Sequence, residues 1–477
     1  MSGKRAKQKR QVKKAKTERD FYNEVKKKGV KVNLLKTVQI LDKTITSSLC
    51  ENVFQTVRTS ERQRVWSLYA LTQFWNAVVI HAPRSLRQAL EEASEGKPDW
   101  PGVESSAEAF FQRSQNLSWR FSARLYELFA ERIQKIAARS FAEELKGIGL
   151  RFPEIRIVDA SSLDAIANRL KILWKQESVI LPGRIMAAYD LFRGYASILS
   201  FSENAMESEN KQLQEILAQI PKQALILGDR IYATAKTFGA LSQGGRYGLF
   251  RRHASLHLRK IRCLSRKRVS GGKLEDWLVE AGCGYNGVEK QTLRWICFRN
   301  KGRGDLELLS SVLDPEQLSA EEAMELYEYR WDVERLFYDL KEVLNLHRFY
   351  AGNVNAVGMQ VYAAVMVHTA MRIAQAQIAQ ENGMAPEKIS IEKFFPRMAA
   401  AVCRWHGLRG GAQLMKDLNP KLAIKEPNWN RVNVGSVKLH QIMVEPREGP
   451  PKKDLRASKP KRNFKSLHKI VLSYSEN

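Results

Sequence analysis

The chain has 477 residues, of which 44% are hydrophobic and 27% charged, with 28 Gly and 15 Pro; that composition excludes disordered, collagen-like and minimal disulfide-stapled classes and leaves room for about three domains. Seventy-eight Lys and Arg against fifty-one Asp and Glu give a formal charge of +27, more than solubility requires, and predict a polyanionic partner. The excess is concentrated: fourteen cations against three acids over residues 1–36, sixteen against four over 233–303, and nine against two over 447–469. Nucleic-acid contact is expected in those three segments.

Cys50, Cys263, Cys283, Cys297 and Cys403 form no CxxC pair and no zinc-type spacing. An odd count of this kind reads as reduced thiols in a cytoplasmic protein. No apolar h-region follows the basic N-terminus, as a secretory signal would need. The segments 65–82 and 354–374 are apolar, but the first contains Ser67, Thr72, Gln73, Asn76 and His81 and the second Gln360, His368, Thr369 and Arg372. Core helices are expected there, with no membrane contact.

In chain order, residues 1–40 read as a Lys-rich arm in which Lys26, Lys27 and Lys28 would repel one another if packed. Helical spacing through Val65, Leu68, Tyr69 and Thr72, and again through Phe121, Leu125, Phe129 and Ile133, predicts a small all-helical N-terminal domain over 41–148. Lys97, Pro98 and Pro101 divide it in two. From Arg151 the pattern changes to short β-type runs. Strands are expected over 155–158, ending in Asp159, over 183–189, and over 195–201 after a turn at 190–194; a helix follows over 206–220, stopped by Pro221, and then a strand over 224–227 before Gly228 and Asp229. Three strands, a helix and a fourth strand, with carboxylates ending the first and fourth, is the order of a ribonuclease-H-like α/β core.

Beyond a short helix at 234–241 the chain becomes basic and strand-like, at 247–250, 257–264, 293–298 and 306–313, so a β-rich insertion is placed at about 235–312 of a catalytic domain spanning 149–380. Ser319 with Glu322 signals a helix start. Long helices are expected at 359–379 and 389–401, with a break at 406–411. Residues 381–477 read as a helical C-terminal region with a basic tail over 446–469.

The helix after Ser319 carries Tyr327, Arg330, Glu334 and Lys341 at offsets of 0, 3, 7 and 14. At about 100° per residue these fall within one stripe about 60° wide, shared by Trp331 and Tyr338, while Leu326, Val333, Leu336 and Leu340 lie opposite. Alone, Arg330 and Glu334 are an exposed i, i+4 pair worth about 0.3 kcal/mol. A carboxylate, two cations and two aromatics on one stripe, preceded by strands ending in Asp159 and Asp229, are instead the ingredients of a phosphate-processing site. Clustered carboxylates stay ionised together only beside cations, and hard Mg2+ or Mn2+ ions prefer such oxygens. Arg330 could grip a phosphate with its planar fork, Lys341 could act as a point charge, Tyr327 could donate a hydrogen bond, and Trp331 could stack on a base. Asp164, Asp190 and Asp332 are rival acids. Asp190 sits in the turn and Asp332 lies off the stripe. His253 and His257 are spaced i, i+4 without a third zinc ligand. Arg251, Arg252 and the cations that follow them read as DNA contacts or as a charged strand edge.

These residues resemble the bacterial insertion-sequence transposases of the DDE type, in the cut-and-paste branch with a Tyr-x2-Arg-x3-Glu-x6-Lys signature. Tyr327, Arg330, Glu334 and Lys341 match that spacing, Val158-Asp159-Ala160-Ser161-Ser162 resembles the first-acid segment, and Gly228-Asp229-Arg230-Ile231-Tyr232 the second. The resemblance covers roughly 151–350. It implies a ribonuclease-H-like fold, metal-dependent cleavage at transposon ends and joining of the 3′-hydroxyl to target DNA. It further implies two Mg2+ ions per site held by Asp159, Asp229 and Glu334, contact of Tyr327, Arg330 and Lys341 with the DNA end, DNA binding by the helical N-terminal domain over 41–148, and a homodimer on double-stranded DNA. The alternatives are a catalytically silent, transposase-derived regulator and a nuclease of the same fold without strand transfer.

Overall fold

The computed structural model describes residues 16–57, 64–95, 100–163, 183–204, 207–269, 272–282, 289–300, 305–418 and 436–446. The chain divides into two units, Lys31–Met443 and Met1–Val30 with Val444–Asn477. In the second unit the described chain includes a helix, α1 (16–28), in which Lys26, Lys27 and Lys28 are all exposed and Lys28 pairs with Glu24 at 2.5 Å. Solvent around the helix removes the repulsion expected of a packed Lys run.

The larger unit opens with β1 (Lys31–Asn33) and a series of helices: α2 (Lys36–Thr44), α3 (Ser47–Val57), α4 (Leu68–His81), α5 (Leu86–Ser94), α6 (Ala107–Asn116), α7 (Arg120–Ile136) and α8 (Lys146–Arg151). Ser67, Ser85 and Ser106 cap α4, α5 and α6, each accepting the backbone N–H three residues on. Next come β2 (Ile155–Ser162), β3 (Arg184–Asp190), β4 (Tyr195–Ser202), α9 (Glu209–Gln219), β5 (Leu225–Gly228), α10 (Ala235–Gln243) and β6 (Tyr247–Arg251). The chain continues through β7 (Leu258–Val269), β8 (Gly272–Ala281), β9 (Gln291–Asn300), β10 (Leu306–Ser310), α11 (Ala320–Glu328), α12 (Trp331–Tyr338), α13 (Val354–Glu381), α14 (Ile391–Leu418) and β11 (Ser436–Lys438).

Among the described residues β2 to β10 form one sheet of nine strands in the order β4-β3-β2-β5-β6-β10-β9-β8-β7. β2, β5 and β6 run parallel, while β3 and β4 pair antiparallel on one side and β10, β9, β8 and β7 extend the sheet antiparallel on the other. The inserted strands thus continue the sheet, and β6 belongs to its parallel part. β8 is not expected from the sequence: its Glu275, Asp276 and Glu280 obscure the β pattern, and two of these acids are buried against cations, Asp276 on Arg294 at 2.5 Å and Glu275 on Lys273 at 2.5 Å.

One face of the sheet is apolar, with Val158, Met186, Ala188, Ile226 and Phe250 packed on Leu213, Ile216 and Leu217 of α9 and Phe238 and Leu241 of α10. Alternation then turns Ile157, Asp159 and Ser161 of β2 to the opposite face, where α12 and α13 pack. α13 is buried all round, as a central helix should be. Its buried Arg372 is fully engaged, donating to Gly194 O at 2.6 Å, Gln375 Oε1 at 2.8 Å and Tyr189 Oη at 3.0 Å. Gly358 is required, because a Cβ there would lie 2.5 Å from the Cβ of Trp119. No described helix is long and apolar enough to cross a membrane.

Two further expectations are corrected. α14 runs without interruption through 406–411; glycines there lower helix propensity by about 1 kcal/mol each but leave the hydrogen-bond ladder intact. β2 does not end at Asp159 but continues to Ser162, because β3 pairs with it along that whole length while β5 leaves it after Ile157. Asp164, Pro98, Cys283 and nearly all of the basic segment 446–469 lie outside the described residues.

Candidate active site

The site forms where β2 and β5 separate. The parallel register pairs Ile157 with Leu227, so continuing it by two residues brings Asp159 level with Asp229, the first residue after β5. Each is half-buried. Opposite them, the segment expected as one helix over 321–344 is three pieces. α11 begins with the capping box of Ser319 and Glu322, as its sequence indicates. It stops at Glu328, where Tyr329 and Arg330 donate to carbonyls three residues back; α12 then restarts at Trp331, and a π-helical turn follows at Asp339–Val343. Tyr327 is therefore on α11, Arg330 in the break, Glu334 on α12 and Lys341 on the π turn. An ideal wheel does not describe these four positions.

The break seats Arg330, only 7% exposed, among the acids. Its Nη2 donates to Glu334 Oε1 at 2.7 Å, and its Nη1 lies 3.8 Å from Asp159 Oδ2. Burial works against its charge, but the hydrogen bond to Glu334 and the charges of Glu334 and Asp229 outweigh burial and hold its pKa above the ordinary value. Burial pushes the Asp159 carboxyl up to about 7, opposed by the Ala160 N–H and by Arg330 and reinforced by Glu334 and Glu209. Tyr327 is buried and donates to Gly228 O at 3.3 Å. Its hydroxyl is pushed up by burial, with Asp229 adding to the effect and Arg330 and Arg251 opposing it. Lys341 Nζ donates to Ser161 Oγ at 2.7 Å and Ser162 O at 2.6 Å, so the cation crosses to the β2 residues just past Asp159.

Trp331 is 47% exposed, with the Arg330 guanidinium 4.5 Å from its ring centroid. Arg251, at the end of β6, is exposed and beside Tyr327. Arg252 is held in the sheet by Glu307 at 2.5 Å and lies over Trp295. Among the rivals, Asp190 is buried between Arg156 at 2.5 Å and Arg193 at 2.9 Å and accepts the N–H groups of its own turn. Burial raises the pKa of Asp332. His253 meets Ser255 at 2.5 Å. Among the described residues no group of three His, Cys, Asp or Glu is drawn close enough to hold a metal ion; between Asp159 and Glu334 lies the guanidinium of Arg330. The donor set is carboxylate oxygen throughout, which suits a hard divalent cation. The elevated pKa of Asp159 follows first from burial, which disfavours its charged form.

Sequence reasoning missed three parts of the surroundings. Glu209 receives Tyr232 Oη at 3.2 Å and Arg184 at 3.3 Å and bears electrostatically on Asp159. Asp339 and His368 pair beneath the π turn at 3.3 Å. No spacing rule connects them, because each partner comes from a different element.

A family model described as the transposase DDE domain matches residues 151–370. The chain is an enzyme acting on DNA. It is similar to a probable transposase for insertion sequence element IS5377 from Geobacillus stearothermophilus, 20% identical over 361 residues that cover 75% of this chain and 89% of that protein. A putative transposase for insertion sequence element IS4SA from a Synechocystis strain is 24% identical over 166 residues, 35% of this chain and 45% of that protein. Among solved structures, piggyBac transposase in a synaptic complex with hairpin DNA aligns over 90% of this chain and 88% of its own, with 12% identity and a TM-score of 0.36, a likeness too low to define a shared fold.

Proposed function

We propose that this transposase binds the terminal inverted repeats of a mobile element, cleaves its ends by phosphoryl transfer and joins the 3′-hydroxyl ends to target DNA, in the cut-and-paste manner. The observation that carries the reading is the convergence of Asp159, Asp229 and Glu334 from three elements on one buried guanidinium, inside the matched domain. The strand order β4-β3-β2-β5-β6 supports a ribonuclease-H-like core.

Asp159, Asp229 and Glu334 would hold two Mg2+ ions, for which Mn2+ substitutes, and the ions when bound would supply charge neutralisation at the phosphate and a more acidic attacking oxygen. With the carboxylates so engaged, Arg330 is released to grip a phosphate by its fork. Lys341 places a point charge at the end of β2, near the 5′ phosphate of the DNA end, and Tyr327 orients the same strand. Trp331, beside Arg330 and open to solvent, offers a stacking face to an unpaired base. Arg251 continues this cationic edge toward the duplex, with Arg252 further along it. Because two ends must meet before joining, the working form is a homodimer on DNA.

The test is cleavage of a duplex bearing the terminal repeat of the encoding element, with Mg2+ or Mn2+. Glu334→Gln should reduce cleavage by about 10³-fold or more while end binding stays within a few-fold. Retained cleavage would remove Glu334 from the site. Binding without cutting by the unaltered protein would favour a silent regulator, and cutting without joined products a nuclease.

A further inference from the structure

Lys341 lies in the π-helical turn Asp339–Val343. The Leu344 N–H donates to Asp339 O at 2.9 Å, five residues back, the Leu346 N–H donates to Leu340 O at 3.0 Å, and Asn345 takes φ 55°. Such turns are rare, and inserting the extra residue rotates the downstream chain by about 100° relative to an α-helix. Something must therefore hold the turn against relaxation to the commoner form. Two side-chain contacts are placed to do so. Asp339, 5% exposed, accepts from Nε2 of His368, 1% exposed on α13, at 3.3 Å. His347 Nδ1 donates to the carbonyl of Lys341 itself at 2.6 Å. Burial of a carboxylate and an imidazole beneath so short a turn makes the pairing demanding, since either group alone would be left without compensation.

We propose that Asp339 and His368 are positioning residues: their pairing fixes the π turn in the register that delivers Lys341 to Ser161 and Ser162, and so to the DNA end. The inference rests on the proposed role of Lys341. It predicts that the two residues act on cleavage through Lys341 and not on the acids.

The test is a double-mutant cycle in the full-length protein, read as the single-turnover cleavage rate on the terminal-repeat duplex with Mg2+. His368→Leu should slow cleavage by about 10²-fold when Lys341 is present and by less than about 2-fold when Lys341→Ala has already been made. Equal losses in both backgrounds, or no loss in either, would overturn the proposal. His368→Gln, which keeps a donor for Asp339, should recover most of the rate. Should His368→Leu fail to fold, Asp339→Asn weakens the same contact from the other side and takes its place in the cycle. Hydrogen exchange on the DNA-free protein separates this inference from the function it rests on. With His368→Leu, the Leu344 and Leu346 amides should exchange about tenfold faster while Ala370 on α13 stays protected. Unchanged exchange overturns the positioning role whatever the DNA assay shows, whereas accelerated exchange in a protein that never cuts DNA counts against the function alone.

Discussion

The end of β2 and β5 and the ribbon of β7 to β9 belong to one sheet yet handle charge in opposite ways. At the first, strands with apolar runs such as Leu225–Leu227 are fully buried, and the few charged groups face one another: Arg330 meets two acids and Lys341 two serine oxygens. On the ribbon, Arg259, Lys260, Arg262, Arg266, Lys267 and Arg268 are exposed along the free edge of β7. There Lys260 and Arg266 lie 4.1 and 4.6 Å from the Trp277 ring. A buried cation is held to its partners and can act on a particular atom, whereas an exposed one, even where paired as Arg259 is with Glu280 at 3.2 Å and Lys267 with Glu321 at 3.0 Å, attracts a polyanion at long range and is screened by salt. On the proposed function, chemistry belongs to the first region and capture of DNA to the second.

The contrast can be broken most severely at the acids. Asp229→Asn keeps the shape of the site and removes one charge, so metal-dependent cleavage should fall by about 10³-fold or more with little change in the thermal midpoint. The base of the ribbon is the next largest effect, because there the two regions resemble each other: Arg294 is fully buried, bound to Asp276 at 2.5 Å and to the Leu318 carbonyl at 2.6 Å. Arg294→Met leaves Asp276 buried and unpaired and should cost about 3–5 kcal/mol in urea unfolding. Replacing Arg262, Arg266 and Arg268 together by Gln sharpens the comparison. DNA affinity should weaken, with a salt slope shallower by up to about 0.9 for each phosphate no longer neutralised, while stability stays within about 0.5 kcal/mol. The smallest effect is at the entrance to α11, where Ser319→Ala removes the cap and should lower stability by about 1 kcal/mol, seen as a lower melting temperature with cleavage unchanged.

Much of the sheet from β3 to β5 is legible in the sequence because its strands are short apolar runs between breakers: Arg184–Asp190, Tyr195–Ser202 and Leu225–Gly228 fall within a residue or so of where the pattern places them. The acids and the four motif residues are proposed from their spacing, and the structure brings Arg330 of that motif to Glu334 at 2.7 Å and to Asp159 at 3.8 Å. What spacing does not carry is the local geometry between them. The break at Tyr329 and Arg330, the π turn at Asp339–Val343 and the continuation of β2 to Ser162 each lie beside partners on distant elements, Gly228, His368 and β3 among them. β8 is hidden because its acids are neutralised by residues of its own strand and its neighbour. The helical layer is harder still to delimit, because α4 and α7 pack on α13, nearly three hundred residues beyond the start of α4.

The pairing of β1 with β11, Lys31 opposite Lys438, bears on synthesis. It ties segments roughly four hundred residues apart, a closure whose entropic cost grows only slowly with length but whose timing does not: until residue 438 has left the ribosome, β1 has no strand to join. A chain that lacks residues 436–438 leaves the edge of β1 open.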